Sequence, residues 1–310
     1  MRWRETVPAR FSCLLAAALA IGVLGGCSVR RMAVNALGNA LAAGGSSYAS
    51  DDDPELVKGA LPFALKTIEG LLDTPQRHRA LLLAAASGFT QYSYAFVQSE
   101  ADYVEADDFA AAKAMRARAV RLYLRARGYG LRGLEEAAPG CGAELTREPQ
   151  RCLARLGRAD IGLLYWTAAP WAAAISLAKQ NAELTADLAL TEALMRRGLE
   201  LDEGWSEGAI HDFFIAYEGG RPPAAGGSVE RARRHLERAL VLAHGRRAAP
   251  LVSFAETVAL GAQDRAEFET LLNKALAIDP DAAPEQRLAN LVAQKRARWL
   301  LARAPELFLE

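Results

Sequence analysis

Three stretches of this 310-residue chain repeat one pattern, and that pattern limits the fold more than any other feature. Each has a small residue enclosed by leucines: Gly198 between Leu194 and Leu199, Ala239 between Leu236 and Leu240, and Ala275 between Leu272 and Leu276. The small residues are spaced by 41 and 36 positions, and Ala119, in Arg118-Ala119-Val120, lies 79 before Gly198. A small residue on a helix lets a second helix come close, and the flanking leucines fill the gap. The surrounding apolar residues recur with a helical period. The chain is rich in Ala, Leu, Arg and Glu and poor in β-branched residues, a composition that favours helix. No segment reads as a strand.

The spacing therefore predicts an all-α fold. Helices are expected over 78–104, 108–127, 160–181, 185–201, 209–217, 229–243, 250–260, 265–278 and 285–304. Gly219-Gly220-Arg221-Pro222-Pro223, Gly226-Gly227-Ser228 and Asp279-Pro280 separate them. Asp53 is suited to cap a further helix, with Pro54 at its first position and Glu55 in its first turn. Asp51, Asp52 and Asp53 could instead hold a cation, but no further acidic ligands follow at loop spacing. Helix pairs with a small residue in the second helix, ending in Asp-Pro, are tetratricopeptide-like. The expected architecture is a helical-pair solenoid over residues 53–310, with capping helices at both ends. Ile161 to Ala178 carries no charge over 18 residues. It contains Gly162, Pro170 and Ser176, so a buried central helix is preferred to a membrane span. Pro170 should kink it.

The N-terminus reads as an export signal over residues 1–26. Arg2, Arg4 and Arg10 precede an uncharged run from Phe11 to Leu24, which ends in Gly25-Gly26-Cys27. Small residues followed at once by cysteine resemble a bacterial lipobox. On that reading Cys27 is cleaved to the mature N-terminus, acylated (palmitate included) and held on a membrane. An ordinary secretory signal with an incidental cysteine is the alternative. Ser28, rather than Asp, favours the outer membrane. Residues 27–52 would form the lipidated terminus and a tether, with a short helix over 29–41. Removing Arg2, Arg4, Arg10 and Glu5 from 37 basic and 37 acidic residues leaves two more acids than bases. That balance carries no nucleic-acid footprint. Cys141 and Cys152 remain after Cys13 and Cys27 are set aside. In an oxidising envelope they are expected to form a disulfide; two free thiols are the alternative.

No catalytic constellation stands out. His78, His211, His235 and His244 make no metal pair, and no phosphate loop, nucleophile elbow or Cys-x-x-Cys is present. The chain reads as a non-enzyme without metal or cofactor. Two groups are candidates for binding. Arg118, Arg121, Arg125 and Arg132 fall at helical spacing with Tyr123 among them, and could hold a carboxylate or an acidic partner; a solvated helix face would look the same. Tyr165, Trp166 and Trp171 surround Pro170, with Phe213, Phe214 and Tyr217 two helices on; they could wall an apolar cavity or simply pack a core. His211 and Asp212 point about 100° apart on a helix, so His211 is expected to make a polar contact elsewhere.

Several runs together resemble the TRAP-transporter-associated T component (TatT) lipoproteins over Asp51 to Phe308. They are Asp52-Asp53-Pro54-Glu55-Leu56-Val57 with Ala60-Leu61-Pro62-Phe63, Leu122-Tyr123-Leu124-Arg125-Ala126-Arg127, and Leu164-Tyr165-Trp166-Thr167-Ala168. Gly208-Ala209-Ile210-His211, Arg287-Leu288-Ala289-Asn290 and Arg298-Trp299-Leu300-Leu301 complete the set. Ala172 follows Trp171 where the family's Gly is expected. The resemblance implies a tetratricopeptide-like homotrimer that associates with the periplasmic substrate-binding protein of a TRAP-type transporter. It also implies a cavity or pore for an apolar or organic-acid ligand. An adaptor lipoprotein for outer-membrane or pilus assembly is the alternative.

Overall fold

A computed structural model of the chain describes residues 45–73 and 78–309. The signal segment, Cys27 and the helix expected over 29–41 lie outside the described residues. Those described form helices and turns, with no strand among them. The helices are α1 (Gly45–Ala49), α2 (Pro54–Leu72), α3 (Arg79–Ser93), α4 (Ser99–Val104), α5 (Phe109–Ala137), α6 (Cys141–Arg147), α7 (Pro149–Leu153) and α8 (Ile161–Leu177). They continue with α9 (Ala182–Ala186), α10 (Leu188–Leu201), α11 (Ala209–Gly219), α12 (Val229–Leu242), α13 (Ala249–Phe254), α14 (Arg265–Leu276), α15 (Arg287–Ala302) and α16 (Ala304–Leu307). π-Helical turns join α3 to α4 over Tyr94–Gln98 and extend α13 over Ala255–Ala259.

Local chemistry accounts for the starts. The Asp53 carboxylate accepts from the backbone N–H of Glu55 and Leu56, both at 3.0 Å, and Asp108 accepts from Ala111 at 2.8 Å. Each satisfies donors that the first helical turn leaves free. Asp51 accepts from the Asp53 N–H at 2.8 Å. Two of the three acidic side chains thus hold backbone.

α5 runs ten residues past the end expected at Arg127, through Gly128, Gly130 and Gly133. Gly130 and Gly133 lie against α8: an added Cβ would sit 2.3 Å from Thr167 Oγ1 and 2.4 Å from Leu163 Cδ2, respectively. Close packing therefore overrides the poor helix propensity of glycine. Ala112, Ala119 and Ala126 continue the same small stripe and are fully buried. α8 is the uncharged segment. It is enclosed by α3, α5 and α10, with Leu163, Leu164, Ala168 and Ala174 at most 1 % exposed. No helix among the described residues is long and apolar enough to cross a membrane.

The three repeated small residues do what their pattern required. Gly198 admits Ile210, and Ala239 and Ala275 are fully buried. From α8 onward, α10, α11, α12, α13, α14 and α15 pack in chain order. One hydrophobic cluster runs from Val57 to Tyr217 and a second from Ile215 to Phe308, so α11 belongs to both. Phe268 and Leu272 have no exposed surface, and burying each stabilises the second cluster by about 1.5–3 kcal/mol.

The last long helix returns to the first. α15 packs on α1 and α2. Arg287 Nη1 donates to the Ser50 carbonyl at 2.7 Å, and Lys295 Nζ meets Glu100 at 2.7 Å. The folded body thus begins upstream of Asp53, with α1 seated on the C-terminal helix. Cys141 and Cys152, both fully buried, form a disulfide that ties α6 to α7.

Candidate functional site

The expected arginine row is mostly occupied within the chain. Arg118 lies over the Tyr92 ring at 5.7 Å. Arg125 lies 3.6 Å from Glu69 and 5.5 Å from the centre of the Phe89 ring. Arg132 lies 5.4 Å from the Tyr129 ring. Arg121 alone of the four is exposed with no hydrogen bond, ion pair or ring contact among the described residues. Tyr123 does not belong to a surface row. It is 1 % exposed, and its hydroxyl donates to Gln98 Oε1 at 2.7 Å. It faces the core because it stands on the inward side of α5 with Ala119 and Ala126.

The aromatic set divides into three places. Tyr165 packs edge-on against Trp166 at 4.8 Å and meets Trp205 at 5.1 Å. Trp171 is 3 % exposed, with the Arg127 guanidinium 4.8 Å above its ring, and is a core residue. Phe213 contacts Phe214 and Tyr217 at 5.3 and 5.5 Å. Turning about 140° along α8 from Trp166 to Trp171 sends these two rings to different neighbours, Tyr165 and Arg127. His211 makes the polar contact expected of it, to His235 at 2.9 Å rather than to Asp212.

The irregular backbone marks the candidate site. Tyr94 opens one π-helical turn and Glu256 lies in the other. They meet around one cation, Arg296 of α15. Its Nε and Nη2 donate to Glu256 at 3.0 and 2.7 Å, and its Nη1 lies 3.0 Å from Asp102. Arg116 also binds Asp102, at 2.7 Å, and holds Glu105. Desolvation by neighbouring groups pushes the Tyr94 phenol upward, with Glu256 adding to the shift. Yet it keeps 43 % of its surface open. The side chain thus lies at the edge of the charged cluster, with part of its surface in solvent. Burial likewise pushes Tyr103 up to about 12, against the Arg296 charge. π-Turns widen a helix locally and are frequent at functional sites.

A second patch is built on strain. Ser206, Glu207 and Gly208 are successively left-handed, at φ 49°, 54° and 81°. The two non-glycine residues cost roughly 1–3 kcal/mol each in such a conformation. Neighbours hold them there: Arg246 pairs with the Glu207 carboxylate, Gln286 Nε2 donates to it at 3.2 Å, and Arg247 Nη1 donates to the Glu207 carbonyl at 3.3 Å. The turn sets Trp205 on Tyr165. Beside them, Arg247 donates to Asp212 in a largely buried ion pair. Burial raises the Asp212 carboxyl, and Arg247 offsets only part of that. Burial also pushes Tyr165 up to about 12. The two patches are linked by α15, where Asn290 holds Ala248 and Arg246 six residues before Arg296 holds Glu256. Six residues rise roughly 9 Å along the helix.

Of the aromatic residues expected from the sequence, Tyr165 and Trp166 stand at this second patch. Trp205, Arg246, Arg247, Glu256 and Arg296 carry no local signature, apart from the paired cations Arg246-Arg247 after His244-Gly245, and Asp212 stands out only as the neighbour of His211. Paired guanidinium and carboxylate groups beside open phenols can orient a ligand by hydrogen bonds and ring contact. Elsewhere a groove of about 400 Å³ runs between α7 and α10, with Leu153, Ala189, Ala193, Arg196, Arg197 and Glu200 on its walls.

Among the described residues these features define an all-helical protein whose last long helix, α15, closes on α1 and α2, with charged and aromatic clusters along that helix. Residues 50–308 match the TRAP transporter T-component (TAtT) family, and the chain belongs to it. Family membership associates it with TRAP transporters. It is also 32 % identical, over 317 aligned positions covering 96 % of each chain, to an uncharacterized protein of Treponema pallidum (strain Nichols).

Proposed function

We propose that the chain is an envelope lipoprotein, anchored through Cys27 on the periplasmic side of the outer membrane. Its helical pairs form a tetratricopeptide-like solenoid, and it works as a non-catalytic homotrimeric scaffold. It docks the periplasmic substrate-binding protein of a TRAP-type transporter and passes an apolar or organic-acid ligand. Family membership over nearly the whole body is the observation that carries this reading, and the Tyr165 and Trp205 patch beside the Asp212–Arg247 pair supports its ligand-handling part. A scaffold that hands on a ligand needs orienting groups and no nucleophile, which agrees with paired charges and free phenols.

Affinity capture of the tethered protein from its own envelope tests the reading. A TRAP substrate-binding protein should be retained, and Tyr165→Ala with Trp205→Ala should abolish ligand transfer while retention persists. Capture without any solute-binding protein would sink the partnership. The open groove between α7 and α10 favours a second reading, an adaptor for outer-membrane or pilus assembly. That reading predicts retention of assembly proteins and loss of it when Ala193 is replaced by Trp.

A further inference from the structure

Where α15 closes on the start of α2, a cleft of about 290 Å³ opens between these two helices, the π-helical turn at Ala95 and Phe96, and α4. Pro54, Ala95, Phe96, Tyr103, Leu291 and Val292 give it apolar walls. Charged side chains stand around its mouth. Glu55 lies 3.5 Å from Lys58 and 4.0 Å from Lys295, and Lys295 is held by Glu100 at 2.7 Å. Arg298 also lines the mouth and is exposed.

Arg298 differs from the other cations of its helix. Arg287 is held by Asp281 at 2.7 Å, Lys295 by Glu100, and Arg296 by Glu256 and Asp102. Among the described residues Arg298 has no hydrogen bond, ion pair or ring contact. An apolar cleft with one unengaged guanidinium at its mouth has the chemistry of an amphiphile site. The tail leaves water in the cleft, and the planar fork of the arginine matches a carboxylate. We propose that this cleft binds a medium-chain carboxylate, with its alkyl tail between α2 and α15 and its carboxylate on Arg298. A cleft of this size takes an alkyl tail of medium length. The bound tail bridges α2 and α15, so the ligand fastens the closure of the fold. The site lies apart from Trp205 and Asp212, and it needs no partner protein.

Thiol protection tests this in the full-length chain. Val292→Cys, or Ala95→Cys where the first variant fails to fold, places a reactive thiol in the cleft. Decanoate should slow its labelling by a maleimide. Acetate, which lacks the tail, and decyltrimethylammonium, which reverses the charge, should protect at least tenfold more weakly. Each methylene removed from the acid should weaken protection about fourfold. Arg298→Glu should cost decanoate tenfold or more and should turn the preference toward the cationic amphiphile. Equal protection by decanoate and decyltrimethylammonium would overturn the assignment, as would no protection by either. Capture of the substrate-binding protein by the Arg298→Glu chain reads the docking proposal separately, so either proposal can fail alone.

Discussion

Nδ1 of His211 lies 2.9 Å from Nδ1 of His235, so the two rings share a single proton between α11 and α12. The pair sits where the two hydrophobic clusters join. His235 stacks on Phe214 of the first cluster at 4.9 Å, next to Leu236 of the second. Glu203 approaches the other face of His211, with Nε2 to Oε2 at 3.7 Å. Burial lowers both histidines below the ordinary range, His235 to about 4. Charging both rings would set two cations at hydrogen-bond distance.

Stability should therefore depend on acid at this seam. A histidine whose folded pKa is lowered takes up its proton more readily when unfolded. Its contribution is present above about pH 6.5 and is lost as the pH falls toward 4. His235 is partly open to solvent, so screening reduces the effect to about 1–2 kcal/mol. Urea titrations between pH 7.5 and 4 should show this loss in the parent and a flatter profile in His235→Phe. Parallel profiles would rule out the pair as the acid-sensitive element.

Two glycine replacements should have opposite effects. At Gly130 a methyl group would lie 2.3 Å from Thr167 Oγ1 and 2.9 Å from the Thr167 Cα, so backbone must move. Gly130→Ala should destabilise by about 1–3 kcal/mol. At Gly59, inside α2, an added methyl group would meet no neighbouring group within 4 Å. Gly59→Ala should stabilise by about 0.4–1 kcal/mol, chiefly through the unfolded chain. Denaturation midpoints of the two variants give the comparison.

The Asp212–Arg247 pair should show the asymmetry of buried charge. Arg247→Met strands the Asp212 carboxylate and should cost about 3–5 kcal/mol. Replacing both residues, with Asp212→Leu added, should recover most of that loss. A double-mutant cycle by thermal unfolding measures the coupling, and additive effects would contradict a buried pair.

The disulfide should matter more to stability than to shape. Cys141 and Cys152 are 11 apart in sequence and close a short loop over α6 and α7. Loop-closure entropy puts its contribution at about 3 kcal/mol. Cys152→Ser should lower the melting temperature, while the helical signal below the transition stays unchanged.

Most of the helix plan could be read from neighbours in sequence, because helices are local. Asp53 and Asp108 cap the helices that follow them, and Ala239 and Ala275 sit at close helix contacts. The uncharged stretch around Leu164 is a buried helix. Each follows from a period of 3.6 residues, a cap or a small side chain acting within a few turns. The extension of α5 through Gly130 could not be read that way. A helical glycine is unfavourable alone and becomes acceptable only when Thr167 arrives to fill the space.

The candidate site was decided by tertiary structure. Tyr94 and Tyr123 are both tyrosines on long helical segments, yet one keeps an open face and the other is sealed in the core. What separates them is the placement of α8 and α15, which no local pattern encodes. The same holds for Arg296, which meets Glu256 40 residues away, and for Ser206 and Glu207, whose strained turn is held by Arg246 and Gln286. A sequence sets which face of each helix is apolar, because that depends on spacing along one chain segment. It does not show which helices will face one another, because that depends on how all the faces are buried together. Thus the repeat around Gly198, Ala239 and Ala275 was sufficient for an all-helical body. Only the packed structure brought α15 back to α1 and α2 and assembled the charged cluster around Arg296.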